Sequence, residues 1–159
     1  MSKEIIWQPS KEQIENSKLT KFIQHCKLKN YDELEKKSFS DPGWLWDNVI
    51  KFSDIKFYKP YSKILDESKG TPWTRWCIGG KTNIVLNCID RHKDKEFFKN
   101  TFIFAEREDG KESSITYEEF DKQISKIGNT LKINGFKKGD VIALYMPQFI
   151  ETYIAYFAI

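Results

Sequence analysis

Residues 115–120 read Ile-Thr-Tyr-Glu-Glu-Phe, and their continuation to Met146 decides the fold class. The Thr116 hydroxyl can accept from the N–H three residues on. The Glu119 carboxylate can reach back to the Thr116 N–H, so two donors left open by a helix start are satisfied reciprocally. Ile115 and Phe120 flank the pair as a hydrophobic staple. Tyr117, Phe120, Ile124, Ile127 and Leu131 then recur at spacings of three and four, forming one apolar face of a helix. Gly135 is placed to end it, because glycine enters the left-handed region without strain. Lys138-Gly139-Asp140 turns the chain into Val141–Met146, a continuous apolar run of the kind that forms a strand covered on both faces.

The flanks extend the pattern. Upstream, Thr101–Arg107 (TFIFAER) predicts a strand, Glu108-Asp109-Gly110-Lys111 a turn, and Ser113–Thr116 the returning strand. Downstream, Gln148 onward predicts a helix. Strand, turn, strand, helix, strand, helix is the start of an α/β domain with parallel strands. The last helix, ending YIAYFAI, carries no charge after Glu151 and no C-terminal cap signal. A helix apolar on all sides must be covered, and the sequence predicts that its partner lies outside this chain.

The first third predicts short helices. Ser10-Lys11-Glu12-Gln13 is a capping-box pattern ahead of Ile14, Leu19, Phe22 and Ile23. Asn30 opens a second helix. Asp41-Pro42 opens a third, Asp capping free N–H groups and Pro fitting the first turn, with Trp44, Leu45, Val49 and Phe52 on one side. Residues 53–80 hold Tyr58, Tyr61, Trp73 and Trp76 among prolines and glycines. They predict a long irregular connection that clamps onto a neighbouring surface, with a plain linker as the alternative. Asn83 begins another helix, running to His92.

Composition narrows the function classes. Hydrophobic residues make up 40% and charged residues 31% of the 159, a soluble globular balance, and 15% aromatics argue against a disordered tail. The net charge is +3, and the basic residues are nearly all Lys interspersed with Asp and Glu, with Arg only at 75, 91 and 107. Nucleic-acid sites favour clustered cations and planar Arg forks, so no nucleic-acid partner is expected. Cys26, Cys77 and Cys88 are odd in number, which argues against a disulfide framework. The opening MSKEIIWQPS has no apolar core of a signal peptide, and the cytoplasm is the expected compartment. Residues 141–159 are long enough to suggest a membrane span, but Pro147, Gln148 and Glu151 sit near the middle, where polar groups are costly. A buried strand followed by a buried helix explains the run better; tethering through 141–159 is the alternative.

Three patterns in the sequence bear on chemistry. Gly79-Gly80-Lys81-Thr82 looks like the end of a phosphate-binding loop, but that loop needs a Gly where Arg75 stands, and no strand precedes it. Cys77, Cys88, His92, His25 and Cys26 fit no standard zinc spacing, and paired C-x-x-C is absent. Neither histidine supports a Ser–His or Cys–His arrangement, and the carboxylates lie mostly at caps and surfaces. The residues therefore assign no catalytic, cofactor-binding or metal position.

Taken in order, the landmarks resemble the N-terminal region of acetyl-CoA synthetase-type enzymes, members of the AMP-forming adenylate superfamily. Trp7-Gln8-Pro9-Ser10 is similar to the family's opening W-x-P. Tyr31-Asp32-Glu33-Leu34, Ser38, Asp41-Pro42 and Trp46 resemble its Y-x-x-L…S…D-P…F-W pattern. Arg75–Gly80, Asn83 and Asn87–His92 resemble its W-F-x-G-G-x-x-N…N-C-x-D-R-H block. Ile115–Phe120 is similar to its first core motif, L-T-Y-x-E-L. Lys138-Gly139-Asp140, Tyr145-Met146-Pro147 and Glu151 resemble K-G-D…Y-M-P…E, while Leu45, Cys77 and Ile150 depart from it. The resemblance implies an N-terminal helical and aromatic extension over 1–100 and a truncated start of the AMP-binding domain over 101–159. It implies a parent reaction in which ATP, a carboxylate and CoA give acyl-CoA, AMP and pyrophosphate, with Mg²⁺. The phosphate loop, the catalytic Lys and the CoA contacts would lie further along, so the chain alone is expected to be inactive and aggregation-prone through 141–159. A partner could be the missing remainder of a synthetase, or a homologue that the chain regulates.

Overall fold

The computed structural model describes residues 6–159; the reading of the leader rests partly on residues 1–5, which lie outside them. The chain divides into two compact units, one ending at Thr82 and the other running from Asn83 to Ile159.

The first unit holds four helices and a hairpin. Helix α1 (Lys11–Asn16) starts at Ser10, whose hydroxyl accepts from the Gln13 N–H at 3.2 Å while the Gln13 side chain accepts from the Ser10 N–H at 2.7 Å. The apolar pattern continues to Ile23, but the helix breaks at Ser17. The extended backbone of Ser17 ends α1, and its hydroxyl caps α2 (Lys18–His25) by accepting from the Thr20 N–H at 3.0 Å. The Thr20 hydroxyl donates back to the Ile14 carbonyl at 2.6 Å. Local side-chain bonds have displaced helix bonds, the usual competition at Ser and Thr. Helices α3 (Tyr31–Ser40) and α4 (Pro42–Phe52) are capped by Asn30 and Asp41, with Pro42 in the first turn, as their sequences predict.

Residues 53–80 are more regular than expected. Strands β1 (Lys63–Asp66) and β2 (Arg75–Ile78) pair antiparallel, placing Leu65 opposite Trp76 and Asp66 opposite Arg75. The Arg75 guanidinium donates to Asp66 across the hairpin and holds that carboxyl well below the usual range. The hairpin lies on α4. Gly43 is buried there, and a Cβ at that position would stand 3.4 Å from Ile64 Cγ2 and 3.6 Å from Leu65 Cβ. The Trp46 and Trp76 rings meet edge to face at 5.9 Å. Trp73 and Tyr58 remain exposed.

The second unit begins with α5 (Ile84–Cys88), whose cap is the Asn83 side chain accepting from the Val85 N–H at 2.7 Å. Two 3-10 turns follow, Asp90–His92 and Glu96–Lys99. Strands β3 (Thr101–Glu106) and β4 (Glu112–Thr116) pair antiparallel and feed into α6 (Tyr117–Ile133). Gly135, at φ +89°, ends α6: its N–H donates to Lys132 O at 3.0 Å, and the Phe136 N–H donates to Leu131 O at 3.1 Å. The core is Ile89, Phe98, Phe120, Ile124 and Ile154, with Phe102 and Phe157 rings 4.9 and 5.3 Å from Phe120.

Two expectations fail here. Val141–Met146 forms no strand, and Val141 is 93% exposed. Among the described residues both ladders are antiparallel, so the parallel sheet is absent. A continuously apolar strand needs ladder partners on its edges and cover on its faces, and the β3–β4 hairpin supplies neither to 141–146. The final helix, α7 (Ile150–Ala158), does find a partner within the chain on one side. Ile154 is buried against α6, and a Cβ on Gly128 of that helix would meet the Ala158 carbonyl at 3.5 Å. Its other side, with Tyr153 and Tyr156, is exposed.

Candidate functional site

The glycine pair, the thiols and His92 each have structural neighbours in the fold. At Gly79-Gly80-Lys81-Thr82, a phosphate-binding loop would need backbone N–H groups turned outward. Here the Gly80 N–H donates to Cys77 O at 2.9 Å and the Lys81 N–H to Lys59 O at 2.8 Å. The Thr82 hydroxyl donates to Lys56 O at 2.7 Å. Gly80 is packed so closely that a Cβ would lie 3.0 Å from Cys77 O, 3.1 Å from Tyr61 Cβ and 3.2 Å from Phe57 Cε1. The glycine pair is a tight turn onto segment 56–61.

The thiols are similarly quiet. Burial raises the Cys26 thiol; burial first and then the Asp47 charge raise that of Cys77. Raised thiols are poor nucleophiles and poor ligands. Among the described residues no three His, Cys, Asp or Glu side chains gather to hold a metal ion. His92 sits against the Phe97 ring at 5.2 Å, with Nδ1 buried and unpartnered.

No sequence motif marks the groove in the second unit, a cavity of about 570 Å³ between the β3–β4 hairpin, α6 and the start of α7. Its floor is apolar, from Ile115, Ile127 and Ile154; its rim carries Glu106, Gln123 and Glu151. Arg107, just past β3, lies over the Phe149 ring at 4.7 Å and ties the hairpin to the start of α7. Glu119 also borders the groove, but its carboxylate is spent on Thr116, whose N–H and hydroxyl hold its pKa below the usual range. The lining carries Ser113 and Ser114 beside Glu106 and Glu151, and no His, Cys or Lys.

The comparisons with known proteins fall on this architecture. A family model described as "Acetyl-coenzyme A synthetase N-terminus" matches residues 31–88, and one described as "AMP-binding enzyme" matches 87–159. The acetyl-coenzyme A synthetase of Methanothrix soehngenii is 34% identical over 157 residues, 96% of this chain and 23% of the relative. This chain belongs to the acetyl-CoA synthetase family. It corresponds to the N-terminal region of that family and is a fragment of an acyl-CoA synthetase in extent, spanning 23% of the Methanothrix relative. The 3-hydroxypropionyl-coenzyme A synthetase of Sulfurisphaera tokodaii is 33% identical over 132 residues, 83% of this chain and 20% of the relative. The structure of "Acetoacetyl-CoA Synthetase from Streptomyces lividans" superposes with a TM-score of 0.80 at 20% identity, over 96% of this chain and 24% of that one, and shares the fold. The mixed helix-and-strand architecture of this acetyl-CoA synthetase segment is therefore that of the start of a much longer enzyme. No described helix is long and apolar enough to cross a membrane, and the apolar run 141–159 is divided before Ile150.

Proposed function

We propose that the chain is the N-terminal portion of an AMP-forming short-chain acyl-CoA synthetase, organised as a helical and aromatic extension over 1–100 and the opening elements of the AMP-binding domain from 101. The parent reaction is ATP, a carboxylate and CoA giving acyl-CoA, AMP and pyrophosphate, with acetate as the default acid, Mg²⁺ as the metal and the cytoplasm as the compartment. The observation that carries this is the pair of family models, which run consecutively along 31–159 and agree with the order of the sequence landmarks. Alone, the chain makes no acyl-adenylate. That chemistry needs a phosphate-cradling loop and a cation at the developing charge; the groove lining holds no such loop, and its Arg107 is stacked on Phe149. The test is pyrophosphate release from the pure chain with acetate, ATP, Mg²⁺ and CoA. No turnover above the protein-free control is expected; sustained turnover would overturn the reading.

The exposed run 141–146 and the outer side of α7 favour a second role, pairing with a separately encoded remainder of a synthetase. The DNA after codon 159 separates the two. A shifted frame encoding the phosphate loop supports a broken or split enzyme, and unrelated sequence supports a free-standing module.

A further inference from the structure

The segment from Ile89 to Asn100 lies against α6 of the second unit and covers its core with Ile89 and Phe98, both buried. Its backbone is held by short-range bonds: the His92 N–H to Ile89 O at 2.9 Å, the Lys95 N–H to His92 O at 3.0 Å and the Phe98 N–H to Lys95 O at 2.9 Å. One side-chain tie to α6 is Lys93, 3.0 Å from Asp121 and 2.9 Å from Asp90. At the middle sits His92. Its ring meets Phe97 at 5.2 Å, Phe97 in turn meets Tyr117 of α6 at 5.6 Å, and the His92 Nδ1 is buried without a hydrogen-bond partner.

A neutral imidazole tolerates an unpartnered ring nitrogen better than a charged one does, because only the imidazolium must donate from both nitrogens. The charged surroundings also disfavour a second proton. Arg91 and Lys95, on the same segment, are both cationic, and the Lys95 ammonium stands 5.9 Å from the face of the Phe97 ring. Of the carboxylates on the packed elements, Asp90 of the segment and Asp121 of α6 are engaged by Lys93, and Glu118 of α6 by Lys122; Asp94 and Glu96 are the segment's other acidic groups. We propose that His92 is an acid-operated latch: taking up a proton on its ring releases segment 89–100 from α6 and uncovers the core beneath Ile89 and Phe98. Burial first, and then the Lys95 and Arg91 charges, lower its pKa in the folded chain. The contribution of neutral His92 is thus whole above the ordinary histidine range and is lost as the pH falls through that range toward the folded value.

The test is hydrogen exchange of the full chain at about pH 7.5 and about pH 5.5, corrected for intrinsic exchange. Residues 89–100 should lose protection by at least about threefold relative to β3–β4 at the lower pH. His92→Phe, which keeps a ring against Phe97 but cannot titrate, should abolish that step. Equal protection of 89–100 in the wild-type chain at both pH values would overturn the latch, as would an undiminished step in H92F. If H92F fails to fold, the wild-type chain still decides. Opening must then follow the titration of the His92 ring protons by NMR, and an opening that follows His25 or sets in only in the carboxylate range overturns the proposal.

Discussion

Thr116 and Glu119 close a reciprocal pair at the start of α6: the Thr116 N–H and hydroxyl donate to one Glu119 carboxylate oxygen at 3.0 and 2.8 Å, and the Glu119 N–H donates to the Thr116 hydroxyl oxygen at 3.2 Å. Thr116→Ala removes one side of this and should cost about 1 kcal/mol of stability, read as a lower urea midpoint with an unchanged slope. The pair also sets an acid limit. Glu119 is held below its usual pKa by the Thr116 N–H and hydroxyl, so its contribution is present above the ordinary carboxylate range and lost as the pH falls through it. Glu119→Gln, which cannot titrate, should flatten the fall in urea midpoint on acidification; an equally steep fall in E119Q would remove Glu119 from the account.

A side chain at Gly80 would be crowded. A Cβ there would meet a backbone carbonyl and two rigid neighbours, Tyr61 and Phe57, at 3.0–3.2 Å. Gly80→Ala should destabilise the first unit by about 1–3 kcal/mol, the usual range for overpacking. Lys81→Ala should leave both stability and ATP binding of the chain unchanged. A calorimetric ATP signal that vanishes in K81A would restore the phosphate-loop interpretation.

The β3–β4 hairpin has one wet face and one dry face. Phe104 is 82% exposed, while Phe102 lies beside Phe120, which is fully buried. Phe120→Ala should cost about 3–5 kcal/mol and unfold the second unit at ambient temperature. Phe104→Ala should shift stability by no more than about 0.5 kcal/mol. Thermal melts of the two variants separate these outcomes, and similar losses in both would mean that the core is misplaced.

The Tyr61 hydroxyl donates to Asp47 at 2.5 Å, linking the segment after α4 back to that helix. Burial first, and then Asp47, push the phenol up to about 12. Below the ordinary tyrosine range this bond contributes fully; as the pH rises through that range toward the folded value the contribution is lost. Ultraviolet titration should show one phenol ionising after the others, absent in Tyr61→Phe, which should also lose about 1 kcal/mol.

Local chemistry was legible in the sequence. The caps at Ser10, Asn30, Asp41, Asn83 and Thr116, and the helix end at Gly135, follow from side chains a few residues apart, and each stands where its pattern puts it. Long-range partners were not. The β1–β2 hairpin depends on Leu65 meeting Trp76 and on Gly43 admitting Ile64, relations that no local period encodes. The composition of Val141–Met146 suits a strand buried on both faces, yet composition cannot supply a neighbouring strand. The groove was invisible for the same reason: Arg107 and Phe149 carry no motif, and their stacking exists only once β3 and α7 have been brought side by side.

Gly128 sets a gauge between α6 and α7. One methyl group would just rest against the Ala158 carbonyl, at 3.5 Å, so alanine fits in ordinary contact. The bare backbone at this position lets the end of α7 come within a methyl group's reach of α6, where Phe157 meets Phe120.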